Sequence, residues 1–309
     1  MQLTHQSAIG EILQGVFQVY SQRVPDVQKI TSAMVSNGMV SGQSEIINDH
    51  IAFRTLGVPH LGISSFEKIF LAHGYEKRDY FFFEGKKLDA HWYAPLVDEL
   101  PRVFISELRV KDLSDQAQQI IGKYTGTLTA DPVDQLDLND VSAVTDFFHR
   151  PLWELPTLED YQTLLAESEY AAWVIYNRYY LNHYTISVHQ LGQEHRTLEQ
   201  FNDFLKSIGI TLNNSGGEIK VSPDGLLRQS SSVAEKVEAE FAGGKTATIA
   251  GSYVEFAERL PLPEYAQLPF DQIKRHMRRD GFESGNADKI FESTLPRKPG
   301  ALNFFTKHL

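Results

Sequence analysis

His50 and Arg54 stand four residues apart in "NDHIAFRTLG", a stretch whose Ile and Phe otherwise read as a buried strand. Residues i and i+4 of a strand lie on one face, roughly 13 Å apart at about 3.3 Å per residue. An imidazole at one end of that span can hold a metal, and a guanidinium at the other can anchor the far carboxylate of a short substrate. The plainer reading makes His50 a hydrogen-bonded core histidine and pairs Arg54 with a local acid such as Asp49.

Two further stretches offer chemistry. His183 follows Asn182 where a helical run gives way to the alternating "YTISVHQL", and His189 competes with it on the same parity. Glu255 lies in "GSYVEFAERLP" on one strand face with Tyr253, Ala257 and Arg259, while Val254 and Phe256 take the other. A carboxylate so placed is either half in water or partnered. Two histidines and one carboxylate from three strands form a ligand set used by non-haem Fe(II) oxygenases, with positions left for a 2-oxo acid and O2. Zinc hydrolases use it too. Eleven histidines leave many other triads open.

The elements that must position these residues alternate along the chain. Residues 7 to 36 carry apolar positions at helical spacing, among them Ile9, Ile12, Leu13, Val16, Phe17 and Tyr20. A strand is expected over 46–56. A helix follows over 64–73, capped by Ser64 or Ser65 with Glu67 placed for a capping box. Two strands joined at "EGKK", a strand over 102–110 and a helix in "LSDQAQQIIGKY" come next. The aromatic middle, 152 to 181, reads as helical, and "TLEQFNDFLKSIGI" as an amphipathic helix. "GEIKVSPDGLLRQSSSV" reads as a hairpin turning at 223–225. "TATIAGSYVEFAERLP" reads as a strand pair or one long strand, and the tail as loop then short helix. No repeat and no internal linker stand out, and no glycine-rich phosphate loop opens a helix. The hairpins favour an α+β fold with a mixed or antiparallel sheet, in one domain over 1–309.

Composition narrows the partners. The net charge of −11 disfavours nucleic acid and anionic membranes, which reward clustered Lys and Arg. With no cysteine, disulfides and thiolate-held metals are excluded. The first residues lack a signal peptide's basic start and apolar run, so a soluble, cytoplasmic protein is expected.

"DHIAFRTLG", "HWYAP", "SELRV", "NHYT", "YVEFAER" and "GFESGNADKIFEST", in this order over residues 48 to 294, together resemble the family once labelled DUF1338, the 2-oxoadipate dioxygenase/decarboxylases. The resemblance implies a curved sheet cupping a metal, related to the vicinal-oxygen-chelate (glyoxalase) superfamily, with flanking helices. It implies His50, His183 and Glu255 as ligands of Fe(II), at the histidines of "DHxAxR" and "NHxT" and the glutamate of "EFAxR", and Arg54 as anchor of a substrate carboxylate. The implied reaction turns 2-oxoadipate and O2 into 2-hydroxyglutarate and CO2, as in lysine catabolism. Tyr93, Tyr253 and Asn286 lie in or beside the matched motifs and are expected to line the pocket. This chain is a compact form beside the longer members tied to lysine breakdown, so the metal site carries over better than the substrate. Two rivals stay open: a lyase, isomerase or hydrolase using zinc or nickel on the same scaffold, and a non-catalytic binder of a small acid. Partners expected are a 2-oxo acid and O2, with self-association left open.

Overall fold

A computed structural model describes residues 7–294. Its centre is an eight-stranded mixed sheet in the order β2-β3-β4-β1-β5-β10-β7-β6, curled into a half-barrel and flanked by helices. The first half runs β1 (Asn48–Leu56), α3 (Ile63–Ala72), β2 (Glu76–Phe83), β3 (Leu88–Ala94), β4 (Arg102–Leu108). The second runs β5 (His183–Ser187), α8 (Leu198–Ser207), β6 (Lys220–Val221), β7 (Leu227–Ser231), β10 (Tyr253–Arg259). Each half is a βαβββ unit whose first and last strands pair in parallel, β1 with β4 and β5 with β10. The units meet along the antiparallel pair β1/β5. The repeat is one of topology, which is why no sequence repeat announces it.

β1 is buried at every position, as a central strand covered on both faces must be. On the outer face Phe53 packs against Phe66 of α3 at 4.8 Å, and Phe256 of β10 against Phe201 of α8 at 5.3 Å. The opposite, concave face of β1 carries His50, Ala52 and Arg54.

Local chemistry decides the boundaries. The periodic run at the start is two helices, α1 (Ala8–Arg23) and α2 (Pro25–Ser36), because Pro25 opens a new first turn. Ser7 caps α1 by accepting from the Gly10 amide at 3.2 Å. α3 lacks the expected serine cap. Gly62 begins it at φ +85°, where a Cβ would collide with Glu107, and the Glu107 carboxylate instead accepts from the Ile63 amide at 2.7 Å. Ser65 turns to Asp131 at 2.6 Å.

Between the units lie α4 (Asp115–Thr125), α5 (Val141–Phe147), α6 (Leu158–Glu167) and α7 (Glu169–Asn177). Ser168 breaks the aromatic run, ending α6 and capping α7 through the Ala171 amide. "TATIAGSYVEFAERLP" is two strands of different sheets. β9 (Thr246–Ala250) pairs with β8 (Lys236–Glu240) in a two-stranded ribbon, and the next strand joins the main sheet as β10. α9 (Ser284–Phe291) lies across β2, β6 and β7.

Candidate metal centre

Three side chains from the two units converge in the hollow of the sheet. One ligand atom each from His50, His183 and Glu255 lies within 4.8 Å of the others, and all three residues are buried. The registers bring this about. Across β1/β5, Ala52 faces His183, and Glu255 faces Thr185 across β5/β10. His50 Nε2 stands 3.3 Å from Glu255 Oε1 and 3.0 Å from Thr185 Oγ1. His183 Nε2 stands 3.1 Å from Glu255 Oε2.

The remaining ring nitrogens are held from behind. His50 Nδ1 donates to Asp49 Oδ1 at 2.8 Å, and His183 Nδ1 donates to Asn182 Oδ1 at 3.1 Å. Both Nε2 atoms are thus turned toward the one carboxylate, and two imidazoles and a carboxylate gathered this closely are a donor set that fits a divalent metal with open positions.

Charge follows the same geometry. Burial alone would raise the Glu255 carboxyl; the two imidazoles reverse this and hold it below the usual carboxylate range. Burial lowers His183, against the pull of Glu255. Burial also opposes charge on His50, but Glu255 and Asp49 outweigh it and raise that imidazole.

Asp49 is the centre of the support. Arg259 grips it in a fork, Nε to Oδ2 at 2.7 Å and Nη2 to Oδ1 at 2.9 Å, and Arg102 stands at 3.6 Å. Arg259 Nη1 also donates to the carbonyls of Arg279 and Gly281, tying down the segment that sets Phe282 edge-on to His50 at 4.8 Å. Glu255 has its own support. Gln229 Nε2 donates to its Oε1 at 2.6 Å, and Asn286 Nδ2 donates to Gln229 Oε1 at 3.0 Å.

Arg54 is buried too, and its partner is Glu169 at 3.1 Å rather than Asp49. Its Nη2 donates to Thr294 Oγ1 at 3.0 Å, and Tyr170 and Trp173 of α7 pack on the guanidinium at 4.9 and 5.1 Å. Its Nε has no partner among the described residues. The Tyr253 hydroxyl is likewise buried without a partner among the described residues, while its ring stacks on His183 at 4.8 Å.

Three expectations change. Tyr93 does not face the hollow: it pairs with Val103, so strand parity turns it to the outer face, where its hydroxyl donates to Glu67 of α3. Its neighbour Trp92 pairs with Phe104 and holds the inner side. Asn286 reaches the hollow only through Gln229. His189 sits in a turn after β5, not in the strand, and its Nδ1 accepts from the Arg259 amide at 3.2 Å. Sequence reading missed Gln229, Glu169 and Phe282. The signal for Gln229 was "LRQSS", a buried strand whose inner positions after Leu227 are polar.

A curled sheet of two βαβββ units with two imidazoles and a carboxylate in its hollow defines a vicinal-oxygen-chelate type of fold with a site fit for a metal. A glyoxalase-superfamily protein from Ralstonia eutropha JMP134 shares the fold over 89% of this chain and 85% of its own, with a TM-score of 0.70 and 22% identity. Within that class the chain belongs to the 2-oxoadipate dioxygenase/decarboxylase family, whose model matches residues 12–273. The 2-oxoadipate dioxygenase/decarboxylase of Oryza sativa subsp. japonica is 44% identical over 92% of this chain and 78% of its own. The crystal structure of the Oryza sativa hydroxyglutarate synthase in complex with 2-oxoadipate matches with a TM-score of 0.84 and 42% identity, covering 95% of both chains. The rice relative is named as chloroplastic and amyloplastic, which overturns the expectation of a cytoplasmic protein.

Proposed function

We propose that His50, His183 and Glu255 hold Fe(II), and that the protein converts 2-oxoadipate and O2 into 2-hydroxyglutarate and CO2. The observation that carries this reading is the convergence of two imidazoles and one carboxylate, their ligand atoms within 4.8 Å of one another, each braced from behind. The family and the rice complex with 2-oxoadipate support the choice of substrate. The atoms balance, since the six carbons, eight hydrogens and five oxygens of the free acid plus O2 equal those of 2-hydroxyglutaric acid plus CO2.

Bound there, Fe(II) would supply open positions for the 2-oxo acid and O2 and the redox chemistry of the decarboxylation. The chain's own residues do the rest. Arg54 Nε and the Tyr253 hydroxyl are buried donors without partners among the described residues, suited to orient a substrate carboxylate. Asp49 keeps the proton on His50 Nδ1, leaving Nε2 as the donor to the metal. Phe282, Phe104 and Trp92 form an aromatic wall that excludes water, with Phe104 and Phe282 5.0 Å apart.

The test is oxygen uptake by protein reconstituted anaerobically with Fe(II), on adding 2-oxoadipate. Uptake with equal CO2 release is the expected result. No uptake by protein with iron bound would overturn the reading.

A further inference from the structure

A separate cavity opens at the end of the sheet where β1 and β4 begin and β10 ends. It measures about 390 Å³, and His50, His183 and Glu255 do not line it. Part of its wall is the brace behind His50, namely Asp49, Arg102 and Arg259. Asn48, His189 and Arg278 stand in the same wall. All six are buried.

Charge in that wall does not balance. Arg259 is matched by Asp49, and Arg102 Nε donates to Asp280 at 2.6 Å. Arg278 has no such match. Its Nη1 donates to the Arg259 carbonyl at 2.9 Å, its guanidinium lies over Phe270 at 5.4 Å, and among the described residues no carboxylate pairs with it. Glu258 acts on it only from a distance, because Arg228 at 2.8 Å and the Leu198 amide at 3.0 Å hold that carboxylate. The other acids of the lining, Asp98, Glu99 and Asp271, are exposed to water, as is Lys274, so solvent screens them. His189 registers the imbalance. Burial lowers its imidazole to about 3, and Arg278 and Arg259 push the same way against Asp49.

Hydrogen bonds are left over as well. Asn48 is 7% exposed, and neither the nitrogen nor the oxygen of its amide has a partner among the described residues. Arg278 is 4% exposed, and its Nε is likewise without one. A buried guanidinium without counter-charge and a buried amide without partners both cost stability. An oxyanion relieves both costs, since a guanidinium edge offers parallel N–H donors to a carboxylate or a phosphate.

We propose that this cavity is a second binding site, distinct from the metal centre, for a small oxyanion held chiefly by Arg278 with the Asn48 amide as a further donor. The site does not depend on the reaction proposed above.

The experiment titrates succinate and inorganic phosphate separately into the Zn(II)-loaded protein and reads the heat. The wild type binds at least one of them, and the tighter of the two tells a carboxylate site from a phosphate site. Arg278→Gln weakens that anion at least about tenfold, Arg278→Lys weakens it less, and both keep their metal. Anomalous scattering from wild-type crystals soaked in selenate then places the anion beside Arg278. Failure of the wild type to bind either anion, or equal affinity in Arg278→Gln, overturns the proposal. So does selenate confined to the metal hollow or to exposed lysines, a result that needs no variant to fold.

Discussion

The two βαβββ units share one topology and differ in what their last strands present to the hollow. In the first, His50 of β1 pairs with Arg102 of β4; in the second, His183 of β5 pairs with Tyr253 of β10. Two residues further along the last strand stand Phe104 and Glu255 respectively. Where the second unit presents a carboxylate, the first presents a phenyl ring packed on Phe282. The difference teaches how a symmetric scaffold yields an asymmetric site. Donors gather on one side, and an apolar wall keeps the other for substrate.

The largest test breaks the second unit. Glu255→Ala weakens metal binding more than about 100-fold, read by metal content after dialysis. His183→Ala does the same, while His189→Gln keeps its metal; retention by His183→Ala would move the ligand elsewhere. Next is the support of the first unit. Asp49→Asn leaves Arg259 without its charge partner and His50 without its anchor. We expect a loss of about 3 kcal/mol in urea unfolding, and 10- to 100-fold weaker metal binding by titration.

The third test is pH. Burial lowers His189 to about 3, against 6.5 when unfolded. Between those values the unfolded chain takes up a proton that the folded one refuses, so stability falls as pH falls below 6.5. From pH 7 to 5 this group costs about 2 kcal/mol. His189→Gln flattens the dependence of unfolding free energy on pH in that window, and an unchanged slope would refute the assignment. The smallest test returns to Phe104. Phe104→Leu costs about 1 kcal/mol of stability through lost ring contacts, with metal affinity unchanged. A large loss of metal would mean that the wall also holds the donors in place.

Much of this was legible in the sequence. Strand character and polarity marked His50 and Glu255, because ionisable groups between buried apolar neighbours demand partners. The motif order supplied His183. The supports were not legible. Asp49 was weighed only as a mate for Arg54, yet its contact with Arg259 spans 210 residues, a proximity no local pattern carries. Tyr93 was placed by its motif, which carries no strand parity, and its pairing with Val103 turns it to the outer face. The split at Pro25 was readable from proline chemistry, whereas the pairing of β9 with β8 rather than β10 was settled only by the fold.

The seam between β1 and β5 has a kinetic consequence. Between its two strands run α3, β2 to β4 and the four helices α4 to α7, so this pairing closes a long loop and adds non-local contacts that slow folding. Neither unit alone holds all three donors. Metal capture during refolding therefore reports the docking of the two halves, and a stopped-flow trace of metal binding should lag the formation of helical signal.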